Sequence, residues 1–108
     1  MNVKNIFNGI PPELAEELFT TIHTAKKFRV ERIVSRGQRS PQGFWYDQNE
    51  NEWLIVLKGN ASIQFDGDPE PVELHPGSYL NIPAHAKHRV ERTSQTGQTV
   101  WLAIHYDD

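Results

Sequence analysis

Cysteine is absent from this chain, and its absence excludes both a disulfide framework and a thiolate metal site. No apolar stretch is long enough to span a bilayer. The opening run Met1-Asn2-Val3-Lys4-Asn5-Ile6-Phe7 is too polar for a secretory leader. Basic runs are missing as well: formal net charge is -3, and the short patches Lys26, Lys27, Arg29 and Lys87, Arg89 read as solvated faces. Nucleic acid and membrane are therefore not expected partners, and a soluble, cytoplasmic protein is the expectation. Neither a serine-histidine-acid arrangement nor a phosphate-binding glycine loop is visible, which argues against hydrolase triads and nucleotide cradles.

The 108 residues suit one domain, and a chain this short leaves much surface that a partner subunit could cover. After the turn Asn8-Gly9-Ile10-Pro11-Pro12, the segment Glu13 to Phe19 reads as a short helix, with Leu14 and Leu18 one turn apart. Beyond it the period changes to that of strands. Phe28–Val34, Glu52–Lys58, Ala61–Phe65, Val72–His75, Ser78–Ile82, His88–Arg92 and Thr99–Tyr106 are the expected strands. Between the first two lies the aromatic-polar run Phe44-Trp45-Tyr46-Asp47-Gln48. The loop Asp66-Gly67-Asp68-Pro69-Glu70-Pro71 could not lie in a central strand. Short strands parted by Gly and Pro turns point to a closed barrel or sandwich. Residues 1–27 then form an N-terminal arm and helix, and residues 28–106 the barrel.

From about Phe28 to Tyr106 the chain resembles the cupin superfamily. Gly77, Pro83 and His88 match the spacing of that family's second signature, while His85 stands where a glycine is usual and Arg92 where an asparagine is usual. Glu52 and Gly59 match the end of the first signature, but its two histidines are missing. One spacing puts Tyr46 and Gln48 at their positions, and the other puts Trp45 and Asp47 there. The runs Ser40-Pro41-Gln42-Gly43-Phe44-Trp45-Tyr46-Asp47-Gln48, Glu52-Trp53 and Pro83-Ala84-His85 with His88 resemble a subgroup of small single-domain bacterial cupins. The resemblance implies a mostly β, antiparallel jelly-roll barrel with a short N-terminal helix, and it implies a fold more sharply than a reaction.

The sharpest chemical expectation is a divalent-metal site. His88 would supply an imidazole and Glu52 a carboxylate, with His85 and Gln48, or Asp47 in place of Gln48, completing an N/O shell for Fe, Mn, Ni or Zn. Gln48 is preferred because it would project with Tyr46 into one polar mouth. His85 has a competing reading as a surface or packing histidine, the reading also given to His23, His75 and His105. Without the usual histidines, loss of the metal altogether is the other expectation. Phe44, Trp45, Tyr46 and Trp53 are expected to line an apolar pocket, with core packing or a dimer surface as alternatives. Tyr46 is the one candidate proton-transfer residue besides an uncoordinated His85. Function is accordingly expected to be that of a metal-dependent small-molecule enzyme. The alternatives are a noncatalytic ligand-binding or sensor module and a structural homo-oligomer, with a homodimer expected.

Overall fold

The structure, a computed structural model, describes residues 1–108. Eight strands run β1 (Leu18–Thr24), β2 (Phe28–Ser35), β3 (Asn51–Lys58), β4 (Ala61–Phe65), β5 (Val72–Leu74), β6 (Tyr79–Ile82), β7 (His88–Thr93) and β8 (Thr99–Tyr106). All pairings are antiparallel. They form a five-stranded sheet in the order β1-β2-β8-β3-β6 and a three-stranded sheet in the order β5-β4-β7.

The two sheets close on one core of Leu54, Val56, Ala61, Ile63, Leu74, Ile82, Trp101 and Ala103. Strict alternation puts these side chains inside: along β3, buried Glu52, Leu54 and Val56 alternate with half-buried Trp53, Ile55 and Leu57. A fully buried aliphatic side chain such as Ile63 contributes roughly 2 kcal/mol by burial. The chain passes from the larger sheet to the smaller at Gly59-Asn60, where Gly59 adopts φ 83°. The turn is tied down by Asn60, whose carbonyl accepts from Ser94 N (3.1 Å) and Thr99 Oγ1 (3.0 Å).

The expected helix over Glu13–Phe19 does not form. Residues 12–17 are irregular, and Leu18 and Phe19 instead begin β1. A helix of seven residues is marginal alone. The sequence Leu18-Phe19-Thr20-Thr21-Ile22-His23-Thr24 is rich in β-branched residues and gains a backbone ladder by pairing with β2, interrupted at Ile22. Glu17 then accepts a hydrogen bond from Ser35, and Leu14 O accepts one from Gln38 Nε2 (3.1 Å), which hold the approach extended. The first residues fold back over the outside of β2. There the buried Arg32 donates to Ile6 O (3.1 Å), Asn8 O (2.7 Å) and Thr20 Oγ1 (3.3 Å). No helix is long and apolar enough to cross a membrane.

Candidate functional site

Cross-strand register on the inner face of the large sheet sets up three rows. Arg29, His105 and Glu52 lie side by side on β2, β8 and β3; Glu31, Ala103 and Leu54 follow; Ile33, Trp101 and Val56 come last. Polarity thus falls from the mouth of the barrel to its floor. Facing these rows are His88 and Val90 of β7, Ile63 of β4, and Tyr46 and Gln48. Between the walls lies a cavity of about 160 Å³.

Tyr46 and Gln48 belong to no regular strand, yet their segment continues the small sheet past β7. Tyr46 N donates to His88 O (2.7 Å) and His88 N to Tyr46 O (3.1 Å). The Tyr46 ring stacks on the His88 imidazole, with centroids 5.3 Å apart and planes at 21°.

Glu52 and His88 converge, as their alternation with Leu54 and Val90 predicts. His88 Nε2 stands 3.8 Å from Glu52 Oε1, and their side chains are 6% and 7% exposed. That separation is too long for a hydrogen bond. The Glu52 carboxylate has no other side-chain or backbone donor, although its residue is buried. Burial pushes its pKa up to about 7; Glu31 and Glu50 push the same way and Arg29 opposes them. His88 is shifted down, mainly by burial, against the opposing bond from its Nδ1 to Ala86 O (2.8 Å). With Nδ1–H directed at a carbonyl and the ring neutral, Nε2 offers a lone pair toward Glu52. Tyr46 is raised by burial and by Glu17 and Glu52, so its phenol stays protonated.

Several expected site residues lie elsewhere. His85 and Asp47 meet one another outside the cavity, Nδ1 to Oδ1 at 2.7 Å, with side chains 63% and 44% exposed. His85 sits at φ 65° in the turn after Pro83, and its backbone N bonds to Gln48 O (2.7 Å), which aims the imidazole outward. Of the expected pocket aromatics only Tyr46 lines the cavity. Phe44 is exposed and packs edge-on against Tyr46 at 4.8 Å; Trp45 lies 6.0 Å from the Arg89 guanidinium; Trp53 faces outward against Tyr79 at 5.6 Å. The period of β3 that turns Glu52 inward necessarily turns Trp53 out.

Other lining residues were not among the expected site residues. His105, taken as a surface or packing histidine, is buried on the cavity wall with Nε2 3.0 Å from Glu31 Oε1. Glu31 is also 3.6 Å from Arg29, which reaches Glu50 at 3.3 Å. Glu17 and Phe19 complete the rim from the β1 side. The signal that was present is alternation: His105 shares a strand face with Trp101, and Glu31 with Ile33.

The model of the cupin domain matches residues 32–105. The chain is a cupin. A Ralstonia eutropha protein described as a "putative mannose-6-phosphate isomerase" is 42% identical to it over 100% of both chains, with a TM-score of 0.96. An RmlC-like cupin of Desulfovibrio desulfuricans is 20% identical, over 97% of this cupin and 96% of that chain, with a TM-score of 0.73. A Thermus thermophilus protein is 16% identical, over 98% and 97%, with a TM-score of 0.78. The latter two share the fold alone. No curated protein matches this cupin.

Cupins commonly hold a divalent metal, and the donors here do not fit one. Of the His and Glu side chains lining the cavity, Glu52 and His88 face each other, while His105 engages Glu31 and Glu17 takes the Ser35 hydroxyl; no three His, Asp or Glu side chains come close enough to hold an ion. At the neighbouring positions stand the protonated phenol of Tyr46 and the neutral amide of Gln48. His85, expected to supply a third ligand, is engaged by Asp47 outside the barrel. Stable sites for these ions use three or more protein donors with charge or imidazole character.

Proposed function

We propose that this cupin is a small-ligand-binding protein that recognises its ligand inside the barrel through Glu52 and His88, without a metal. The observation that carries this reading is the buried Glu52 carboxylate, which borders the cavity, lacks a hydrogen-bond donor and faces the free lone pair of His88 across 3.8 Å. The carboxylate opens onto the cavity without a protein donor, and a ligand bringing a donor there would satisfy it. The apolar floor of Ile33, Leu54, Ile63 and Trp101 would take the ligand's body.

A second reading, a proton-transfer enzyme, is favoured by the burial that pushes the Glu52 carboxyl up to about 7, where an acid-base group exchanges protons most effectively. Sugar isomerisation, the activity in the description of the Ralstonia neighbour, is a proton-transfer reaction. A phosphorylated substrate is not supported here, because Arg29 is the one guanidinium on the cavity wall and Glu31 and Glu50 already engage it.

We also propose a cytoplasmic homodimer. The outer face of the large sheet carries an apolar strip beside Arg32: Ile55 pairs with Leu102, Trp53 with Ile104, and Val30 with Ile104. Such a strip is suited to burial against a partner, and a second copy offers the same patch in return.

Screening small polar organic molecules against the wild type and a Val90→Phe variant, whose added ring fills the cavity, tests the binding reading. Ligands should shift the Trp101 indole N–H resonance in the wild type and bind at least tenfold more weakly to the folded variant. Equal binding by both proteins would remove the cavity from consideration. Deuterium uptake from solvent into a bound ligand's C–H positions, lost in Glu52→Gln, would select the enzyme reading over the binding one.

A further inference from the structure

We infer that the ligand of this cavity is a small protonated amine with a compact apolar body, its ammonium group seated between Glu52 and His88. This rests on the reading of the cavity as a ligand site and names the chemistry it selects.

Among the charged groups of the cavity wall, carboxylates predominate, beside the neutral Tyr46 phenol and Gln48 amide. Glu17, Glu31 and Glu52 contribute three carboxylates. The one guanidinium, that of Arg29, is shared between Glu31 and Glu50. Glu17 takes the Ser35 hydroxyl and Glu31 takes His105 Nε2, so both are partly satisfied from within the protein. Glu52 is not. Its residue is 6% exposed, it accepts no hydrogen bond, and the group facing it is another acceptor, because His88 Nδ1 is held by Ala86 O.

Two acceptors 3.8 Å apart call for a bridging donor with more than one hydrogen. An N⁺–H group about 2.8 Å from each meets that geometry and brings the charge that the carboxylate lacks. A hydroxyl has one hydrogen to give and would satisfy one acceptor. A carboxylate or phosphate would add acceptors to acceptors in a field already negative. The walls supply what an organic cation requires besides charge. The Tyr46 and Trp101 rings border the cavity, and Ile33, Leu54 and Ile63 would receive an alkyl body. A cavity of about 160 Å³ limits that body to a few carbons.

The test uses three near-isosteric probes, isopentylammonium, isopentanol and isovalerate, titrated at pH 8 into the full chain. Binding is read by calorimetry and by the indole N–H resonance of Trp101, a residue on the cavity wall. The ammonium should bind at least tenfold more tightly than the alcohol, and the carboxylate should not bind. Glu52→Gln should weaken the ammonium at least tenfold while leaving the alcohol unchanged; Glu17→Gln, which keeps the Glu52–His88 gap intact, should weaken it less.

If the alcohol or the carboxylate binds as tightly as the ammonium, the amine inference is overturned while the cavity remains a ligand site. Ammonium binding that is indifferent to Glu52→Gln also overturns it. If no probe shifts Trp101 but molecules from a broader screen do, the amine inference alone falls. If nothing shifts Trp101, the binding reading falls with it.

Discussion

Tyr46 and His88 are locked together twice, by a reciprocal pair of backbone hydrogen bonds of 2.7 and 3.1 Å and by ring stacking at 5.3 Å. The stack uses the ring of Tyr46, not its hydroxyl. Tyr46→Phe should therefore leave stability within about 0.5 kcal/mol of wild type, whereas Tyr46→Ala should lower it by about 2 kcal/mol. Urea denaturation of both variants checks this; equal losses would show that the hydroxyl, and not the stack, holds the wall.

Stability should fall as pH rises through neutrality. Glu52 keeps its proton to about 7 when folded, against 4.5 for the ordinary group. Between those values the folded chain holds a proton that the unfolded chain has lost, so raising the pH favours unfolding. The contribution is present in full below the unfolded value and is lost through the folded one, an effect on the order of 3 kcal/mol. In Glu52→Gln that part of the pH dependence should vanish, so the variant gains on the wild type between pH 5 and pH 8. Parallel curves for the two proteins would place the proton elsewhere.

Chelation should change nothing. Because Glu52 and His88 stand without a third strong donor, dialysis against EDTA should leave the melting temperature and the Trp101 environment unaltered. His85→Ala should have no effect on ligand binding and should cost under about 1 kcal/mol, since its partner Asp47 is itself exposed. Stoichiometric metal that survives dialysis and disappears in Glu52→Gln would reverse the reading of the donor set.

Two glycines with similar backbone angles should respond differently to alanine. Gly59 (φ 83°) would carry its β-carbon to 2.6 Å from Thr99 Oγ1 and 2.7 Å from Gln98 O, whereas Gly67 (φ 90°) would meet nothing within 4 Å. Gly67→Ala should cost about 1 kcal/mol for the backbone angle alone, and Gly59→Ala at least about 3 kcal/mol. Comparable chemical-denaturation midpoints for the two variants would mean that the Gly59 turn yields.

The apolar strip on the outer face gives a prediction about mass. Wild type should run in light scattering at twice its 12.4 kDa, and Ile55→Glu, opposite Leu102, should run as a folded monomer. A monomeric wild type would show that this face stays uncovered.

What the sequence made legible was governed by local alternation. Seven of the strands fall within a residue or so of their expected ranges, because Gly and Pro turns bracket runs such as Ala61–Phe65 and Thr99–Tyr106. Glu52, His88, Gln48 and Tyr46 were brought together by the spacing of the cupin signatures they resemble, and alternation along the strands agreed with it. What stayed hidden depends on long-range pairing. Leu18–Thr24 becomes a strand only because β2 offers an edge, and Leu14 and Leu18 at one-turn spacing mislead until that edge is known. Local pattern left His85 open between ligand and surface histidine, because the direction of its side chain depends on a single residue at positive φ. Trp53 was drawn into the pocket by its chemistry, although its neighbour Glu52 already fixed the opposite face.

The segment from Ser40 to Tyr46 is tied to β7 through Ser40 N to Val90 O at 2.9 Å, Arg89 Nη1 to Pro41 O at 3.2 Å and the Tyr46–His88 pair, and it turns at Gly43, where an added β-carbon would meet nothing within 4 Å. Glu52, by contrast, is set between two neighbouring strands, opposite His105 and Ile82. Exchanges at 41–45, none of which lines the cavity, would act on it through Tyr46, while the strands that hold Glu52 stay in register. Glu52 thus belongs to the part of the barrel that resists displacement, and Tyr46 to the part through which the chamber's side wall can shift.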